Sequence, residues 1–263
     1  MSNFKLTNHV IICGWSTTAE GIIQELHASD VVERRQVVLI DQTLDASPVD
    51  DPFVYFVKGD PTTDETLERA FVETATTAVV LADWTISDLS LRDAKTTLIT
   101  MAIEHLNRDV YTVVEMMRPE NRRHLERADV DEAICITDLS KRLLVHAAMN
   151  YGLSRFFAEI LSFNEGSEIY KISLPPAFDK IPFREAVRLA SDRFETIIMG
   201  LERDREIVCN PVGEYLLTVD DNLFVLSEDT PVGLSEWQGD GGEGVAEDVS
   251  AASVSDVKVH KEA

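Results

Sequence analysis

The chain has 263 residues, with 47 acidic against 24 basic side chains and a formal net charge of −23. That acidic excess excludes nonspecific binding to nucleic acid or anionic membranes, which needs clustered Lys and Arg, and no basic patch stands out. The 44% of apolar residues suffices for a core in one large or two smaller domains, whereas the longest apolar runs, VVLI at 37–40 and AVVLA at 78–82, fall far short of a bilayer span of about 20 residues.

The N-terminal stretch MSNFKLTNHV has no secretory pattern, which predicts a cytoplasmic protein with no direct membrane insertion. Cys13, Cys135 and Cys209 are widely spaced and lie in or beside apolar segments, so they read as reduced structural thiols.

From the N-terminus, short apolar runs alternate with helical patterns. The runs HVIIC (9–13), QVVLID (36–41), FVYFV (53–57), TAVVLA (77–82), VYTVVE (110–115) and EAICIT (132–137) are rich in β-branched residues, as strands covered on both faces must be. Helical patterns occupy about 17–28, 63–71, 91–106 and 118–128, while the proline-bearing stretch 42–52 predicts a loop. Six strands with these crossovers predict an α/β domain over 8–137, a Rossmann-like doubly wound parallel sheet.

Residues 138–164 then predict a pair of amphipathic helices, with Asp138 as the first cap and Tyr151-Gly152 as the break. Leu143 and Leu144 lie on one apolar stripe, and Phe156, Phe157 and Ile160 on the next. The second stripe is wide for a helix at a domain edge, so either another subunit or the chain's own core covers it. Strands at 168–174, 195–201, 206–209 and 223–227, with a helix at 183–191, predict a small α+β domain over 165–228. From 229 the composition is acidic and rich in Gly, Ser and Ala, which predicts a disordered tail to 263.

The turn after the first strand, HVIICGWSTTAEG, carries a degenerate dinucleotide fingerprint: Gly14 for the tight turn, Ser16 at the close-approach position, and Ala19 for helix packing. Trp15 lies within this turn, whose helix N-terminus is a candidate anion site. Asp41 ends the second strand, where an acid accepting ribose hydroxyls is expected. The alternative is a scaffold that keeps Gly14 for geometry and Asp41 as a solvated charge.

Asp60 follows the third strand, where it either accepts from an adenine amine or caps the next helix. Asp83, Asp88 and Asp93 follow the fourth strand and Glu115 ends the fifth, all near the carboxyl edge of the sheet. Such oxygen donors suit Ca²⁺ or Mg²⁺, and equally they are loop charges. The six histidines form no metal-ligand spacing, and no Ser or Cys lies in a nucleophile elbow, so no catalytic set emerges.

In this order the segments VIICGWS (10–16), VVLID (37–41), VKGDPTTDETLERA (57–70), RDAKTTLITMAIEHL (92–106), VVEMMRPENRRHLERADVDEAI (113–134) and FFAEILSFNEGSEIYKISLP (156–175) resemble the RCK domain, also called TrkA-N plus TrkA-C or KTN, of prokaryotic potassium channels and transporters. The resemblance implies a cytoplasmic ligand-sensing gating module and not an enzyme. It implies a potassium channel or transporter membrane subunit as partner, at the inner face of the cell membrane. It further implies a homodimer through the 138–164 helices, assembled into an octameric ring.

The ligand implied is an adenine nucleotide or NAD, bound by Gly14, Trp15, Ser16, Ala19, Asp41, Asp60, Asp83 and Glu115. A Ca²⁺ site would fall on Asp93 and Glu115, with Met117 standing where calcium-gated members carry a second glutamate. An NAD(P)-dependent oxidoreductase is the alternative activity, and the chain is either a separate subunit or the soluble part of a longer channel.

Overall fold

In a computed structural model that describes residues 6–28, 34–161 and 166–239, the β-branched runs form a six-stranded parallel sheet in the order β3-β2-β1-β4-β5-β6. The strands are β1 (Val10–Cys13), β2 (Val37–Asp41), β3 (Val54–Lys58), β4 (Thr77–Val80), β5 (Tyr111–Met116) and β6 (Glu132–Cys135). Alternation within each run divides the core between two faces. Val10 and Ile12 of β1, with Val37 and Leu39 of β2, pack under Ala19 and Ile23 of α1 (Thr17–Ala28). Ile11 and Cys13, with Val38 and Ile40, pack on the opposite side with Leu67 of α2 (Asp64–Arg69) and Ile99 and Ile103 of α3 (Leu89–Leu106). Each such buried Val, Ile or Leu contributes roughly 1.5–3 kcal/mol, which explains why the central strands are apolar on both sides. Burial pushes the Cys13 thiol up to about 12, so it is an inert core residue.

Several expected boundaries move. The predicted helix at 118–128 is a short 3-10 helix at Pro119–Asn121 followed by α4 (Arg122–Glu126). Arg118, Arg122, Arg123 and Arg127 are exposed along it, so basic charge is more concentrated here than composition indicates. Residues Ile136 and Thr137, expected at the end of the sixth strand, instead open α5 (Ile136–Met149) directly from β6. Asp138 is therefore not the cap. It lies in the first turn, where ion pairs of 2.7 Å to Lys141 and to Arg142 hold its carboxyl near 2, well below the usual range.

The described residues divide into two units, one running to Tyr151 and the other beginning at Gly152. Gly152, at φ +88°, starts α6 (Leu153–Ile160). In the second unit β7 (Glu168–Ser173), β8 (Ile197–Arg203), β9 (Glu206–Cys209) and β10 (Asn222–Ser227) pair as an antiparallel sheet in the order β7-β10-β8-β9. Phe183, Ala186 and Ala190 of α7 (Phe183–Phe194) share a core with Ile198, Leu201, Leu223 and Val225 from the sheet. Asp221 is buried and takes a two-pronged contact from Arg203 at 2.6 and 2.7 Å.

The disordered tail expected from 229 is corrected over its first residues. Residues 229–239 fold, with α8 (Val232–Ser235) burying Leu234 and with Trp237 edge-on to Phe178 and Phe194 at 5.5 and 5.6 Å. Two apolar anchors suffice to order this stretch despite its acidic background. The expectation for 240–263 lies outside the described residues. Among the described residues no helix is long and apolar enough to cross a membrane.

Candidate functional site

Parallel strands place the segments that follow β1, β2, β3, β4 and β5 at one edge of the sheet, and the strand order reverses between β1 and β4. Such a switch point opens a crevice beyond the carboxyl ends of the strands. Gly14 turns the chain there at φ +98°, a conformation that glycine adopts without strain, and its N–H donates to Ile40 O at 2.9 Å. Ser16 does more than replace a glycine. Its Oγ accepts the Ala19 N–H at 3.3 Å, so the hydroxyl satisfies one of the orphan donors of α1 that a fingerprint glycine leaves open. The Thr17 and Thr18 amides remain at the open end of the helix, and Ala19 is fully buried.

Asp41 is 8% exposed and organises the crevice wall. Its Oδ1 accepts from Thr43 N and Thr43 Oγ1, both at 2.7 Å, and from Leu44 N at 3.0 Å, while Oδ2 accepts from Trp15 N at 3.0 Å. Burial alone would raise its pKa; the bonds from Thr43, Trp15 and Leu44 outweigh burial and hold the carboxyl below its ordinary value. Oδ2 takes a single bond and keeps a lone pair for a further donor.

Asp60 builds the turn before α2 by accepting from Thr62 N and Thr62 Oγ1 at 3.0 and 2.9 Å. The N-cap position is Thr63, whose N–H and Oγ1 donate to Asp60 O at 3.1 and 2.9 Å, so Asp60 holds the helix entry through Thr62 and Thr63. Asp88, counted among the open acids, instead caps α3 by accepting from Ser90 N and Leu91 N.

Asp83 pairs with Lys95 at 2.8 Å and accepts from Thr85 N at 2.9 Å. Burial would raise its pKa, and Lys95 and Thr85 outweigh that and lower it. Glu115 is buried and accepts the Ala82 N–H at 2.9 Å. Burial dominates here and raises its pKa, against the pull of that bond and of Arg92.

Asp93, 1% exposed, accepts from Met117 N at 2.8 Å, Arg118 N at 3.0 Å and Asn121 Nδ2 at 2.8 Å. Asp93 and Glu115 thus fasten two different loops, and these two carboxylates alone fall short of the 6–8 oxygens that Ca²⁺ takes about one centre. Among the described residues no group of three or more His, Cys, Asp or Glu is placed to hold a metal ion.

The interface candidates remain uncovered. Leu143, Leu144 and Phe156 are 38%, 71% and 55% exposed, while Phe157 and Ile160 are half-buried; Met149, not among the candidates, is exposed as well. Sequence reasoning missed Trp84 and Arg92. The Arg92 guanidinium lies 4.4 Å from the Trp84 ring centre and donates to Ile86 O, with Trp84 itself 52% exposed at the crevice edge. An arginine buried on the strand-facing side of an amphipathic helix is the signal that was there to be read, because its charge demands a partner.

Residues 10–136 match the TrkA-N domain, and residues 137–235 match the region described as "Castor and Pollux, part of voltage-gated ion channel". The chain is 31% identical over 170 residues to the calcium-gated potassium channel TvoK of Thermoplasma volcanium, covering 64% of this chain and 48% of that one. It is 22% identical to potassium channel protein 1 of Methanocaldococcus jannaschii, covering 84% of this chain and 63% of the relative. The chain therefore spans about half to two thirds of these channels. Among solved structures it is similar to the human SLO3 gating ring, with a TM-score of 0.67 at 16% identity, over 84% of this chain and 44% of that one.

Proposed function

We propose that this chain, which carries a TrkA-N domain followed by a Castor/Pollux-type channel region, is the ligand-sensing gating module of a potassium channel or transporter, acting at the inner face of the cell membrane and binding an adenine nucleotide or NAD. The observation that carries the reading is the Gly14 turn, at φ +98°, beside the Asp41 carboxylate at the carboxyl edge of the sheet, next to the point where the strand order reverses. The open amides of α1 suit a phosphate, and the free lone pair of Asp41 Oδ2 suits a ribose hydroxyl. In the proposed assembly the exposed faces of α5 and α6 pair two copies. A ring of eight needs a second, different contact, and α3 leaves Leu91, Leu98 and Met101 exposed for one. A ligand gates such a ring only through its differential affinity for two ring states.

Titration calorimetry of the metal-stripped protein with ADP and NAD tests the reading. Heat is expected with at least one of them, weakened about tenfold or more in Asp41→Ala. No heat with either would end the nucleotide reading, and NADH turnover with an added carbonyl substrate would favour an oxidoreductase instead. The calcium-gated relative makes Ca²⁺ the second ligand to titrate.

A further inference from the structure

We propose that Arg92 and Asp93, adjacent near the start of α3, are positioning residues that link the crevice mechanically to α5, the helix assigned above to subunit pairing. On the crevice side, Arg92 donates to Ile86 O and to Trp84 O, the latter at 3.5 Å, and stacks on the Trp84 ring. The same loop is fastened by Lys95 to Asp83 and by Ala82 N to Glu115. On the other side, Asp93 holds the backbone amides of Met117 and Arg118 and the side chain of Asn121.

Met117 is then held at both ends of its backbone. Its N–H goes to Asp93, and its carbonyl accepts from Thr137 Oγ1 and from Cys135 Sγ at 3.6 Å. Thr137 lies in the first turn of α5, and β6 runs into that helix with no intervening loop. A continuous chain of short polar contacts therefore runs from Trp84 at the crevice edge through the α3 N-terminus and Met117 to the start of α5. Buried at Asp93 and Met117 and part-buried towards either end, such contacts transmit a displacement because each has few alternative partners. A ligand that moves the 82–88 loop would load Arg92, and its neighbour Asp93 would carry the load to the base of α5. Only the direction of that transfer rests on the gating reading above; the linkage itself does not.

The test is deuterium exchange on the full chain, in wild type, Asp93→Asn and Thr137→Val, with and without saturating ADP. Without ligand, Asp93→Asn is expected to speed exchange of the α5 amides at 139–143 on the order of tenfold while β2 amides stay as in wild type. Thr137→Val, which removes one hydroxyl and keeps the volume, is expected to speed 139–143 and to leave α3 unchanged. With ADP, both variants should bind within about twofold of wild type yet lose the wild-type change at 139–143, a split that a merely structural role would not produce.

Wild-type exchange at 139–143 in Thr137→Val, or an intact ADP response in either variant, would overturn the linkage. If Asp93→Asn fails to fold, Thr137→Val decides alone. If wild type binds no ADP, NAD takes its place in the comparison, and the ligand-free comparison still decides whether the linkage exists.

Discussion

His9 shows at the residue scale how one buried group sets a pH dependence. Its Nε2–H donates to Ala70 O at 2.9 Å, and its Nδ1 is buried with no partner. Burial, opposed by the Ala70 carbonyl, lowers its pKa below 6.5, so the folded chain holds the ring neutral. The unfolded chain takes up the proton first as pH falls below about 6.5, and stability is lost from there down to the folded pKa. Urea unfolding at pH 7.5 and 5.5 is expected to show a fall in stability that shrinks in His9→Leu, whatever the substitution costs overall. Ser16 gives a second residue-scale prediction. Ser16→Ala removes the α1 cap and should cost about 1 kcal/mol, whereas Ser16→Gly should cost only a few tenths and free the Ala19 amide. Calorimetry is expected to show tighter ADP binding in Ser16→Gly than in wild type. Unchanged affinity would mean that the hydroxyl and the phosphate do not compete for that amide.

Elements were legible where a period repeats and illegible where one contact decides. The β1 and β2 runs needed two covered faces, and their alternating residues supply both core layers. The end of β6 was misread because Ile136 and Thr137 suit a strand by propensity, while the chain turns into α5 as soon as Thr137 reaches the Met117 carbonyl. In the second unit, Gly200 of β8 pairs with Cys209 of β9, and a Cβ there would lie 2.6 Å from the Val208 carbonyl oxygen. Backbone on a paired strand yields little, so Gly200→Ala should destabilise the second unit by about 1–3 kcal/mol, seen as an earlier transition in thermal melting. On α6, Phe156 is exposed enough for Phe156→Asp to fold normally. If that face pairs two copies, the buried charge should weaken association on the order of a hundredfold by light scattering, and an unchanged mass would remove α6 from the interface.

At the scale of the whole molecule the charge of −23 opposes assembly. Residues 1–137 carry 24 acids against 12 bases, while residues 138–227 are nearly balanced at 14 against 10. Copies that meet over the balanced region still bring two acidic bodies within a few Debye lengths of each other. Association is therefore expected to strengthen between 20 and 500 mM KCl by sedimentation velocity. Weakening with salt would show instead that opposite charges hold the copies together.

By itself the sequence determined the strand and helix periods, the doubly wound class, the Gly14 turn and the acid at the end of β2, because each depends on residues near one another in the chain. The tertiary structure decided what the acids do. Asp93 and Glu115 read as open ligands, yet the fold gives one to the amides of Met117 and Arg118 and the other to Ala82, partners 24–33 residues away. A carboxylate's role depends on which donors surround it in space, and that is settled only when the loops at the sheet edge close over α3.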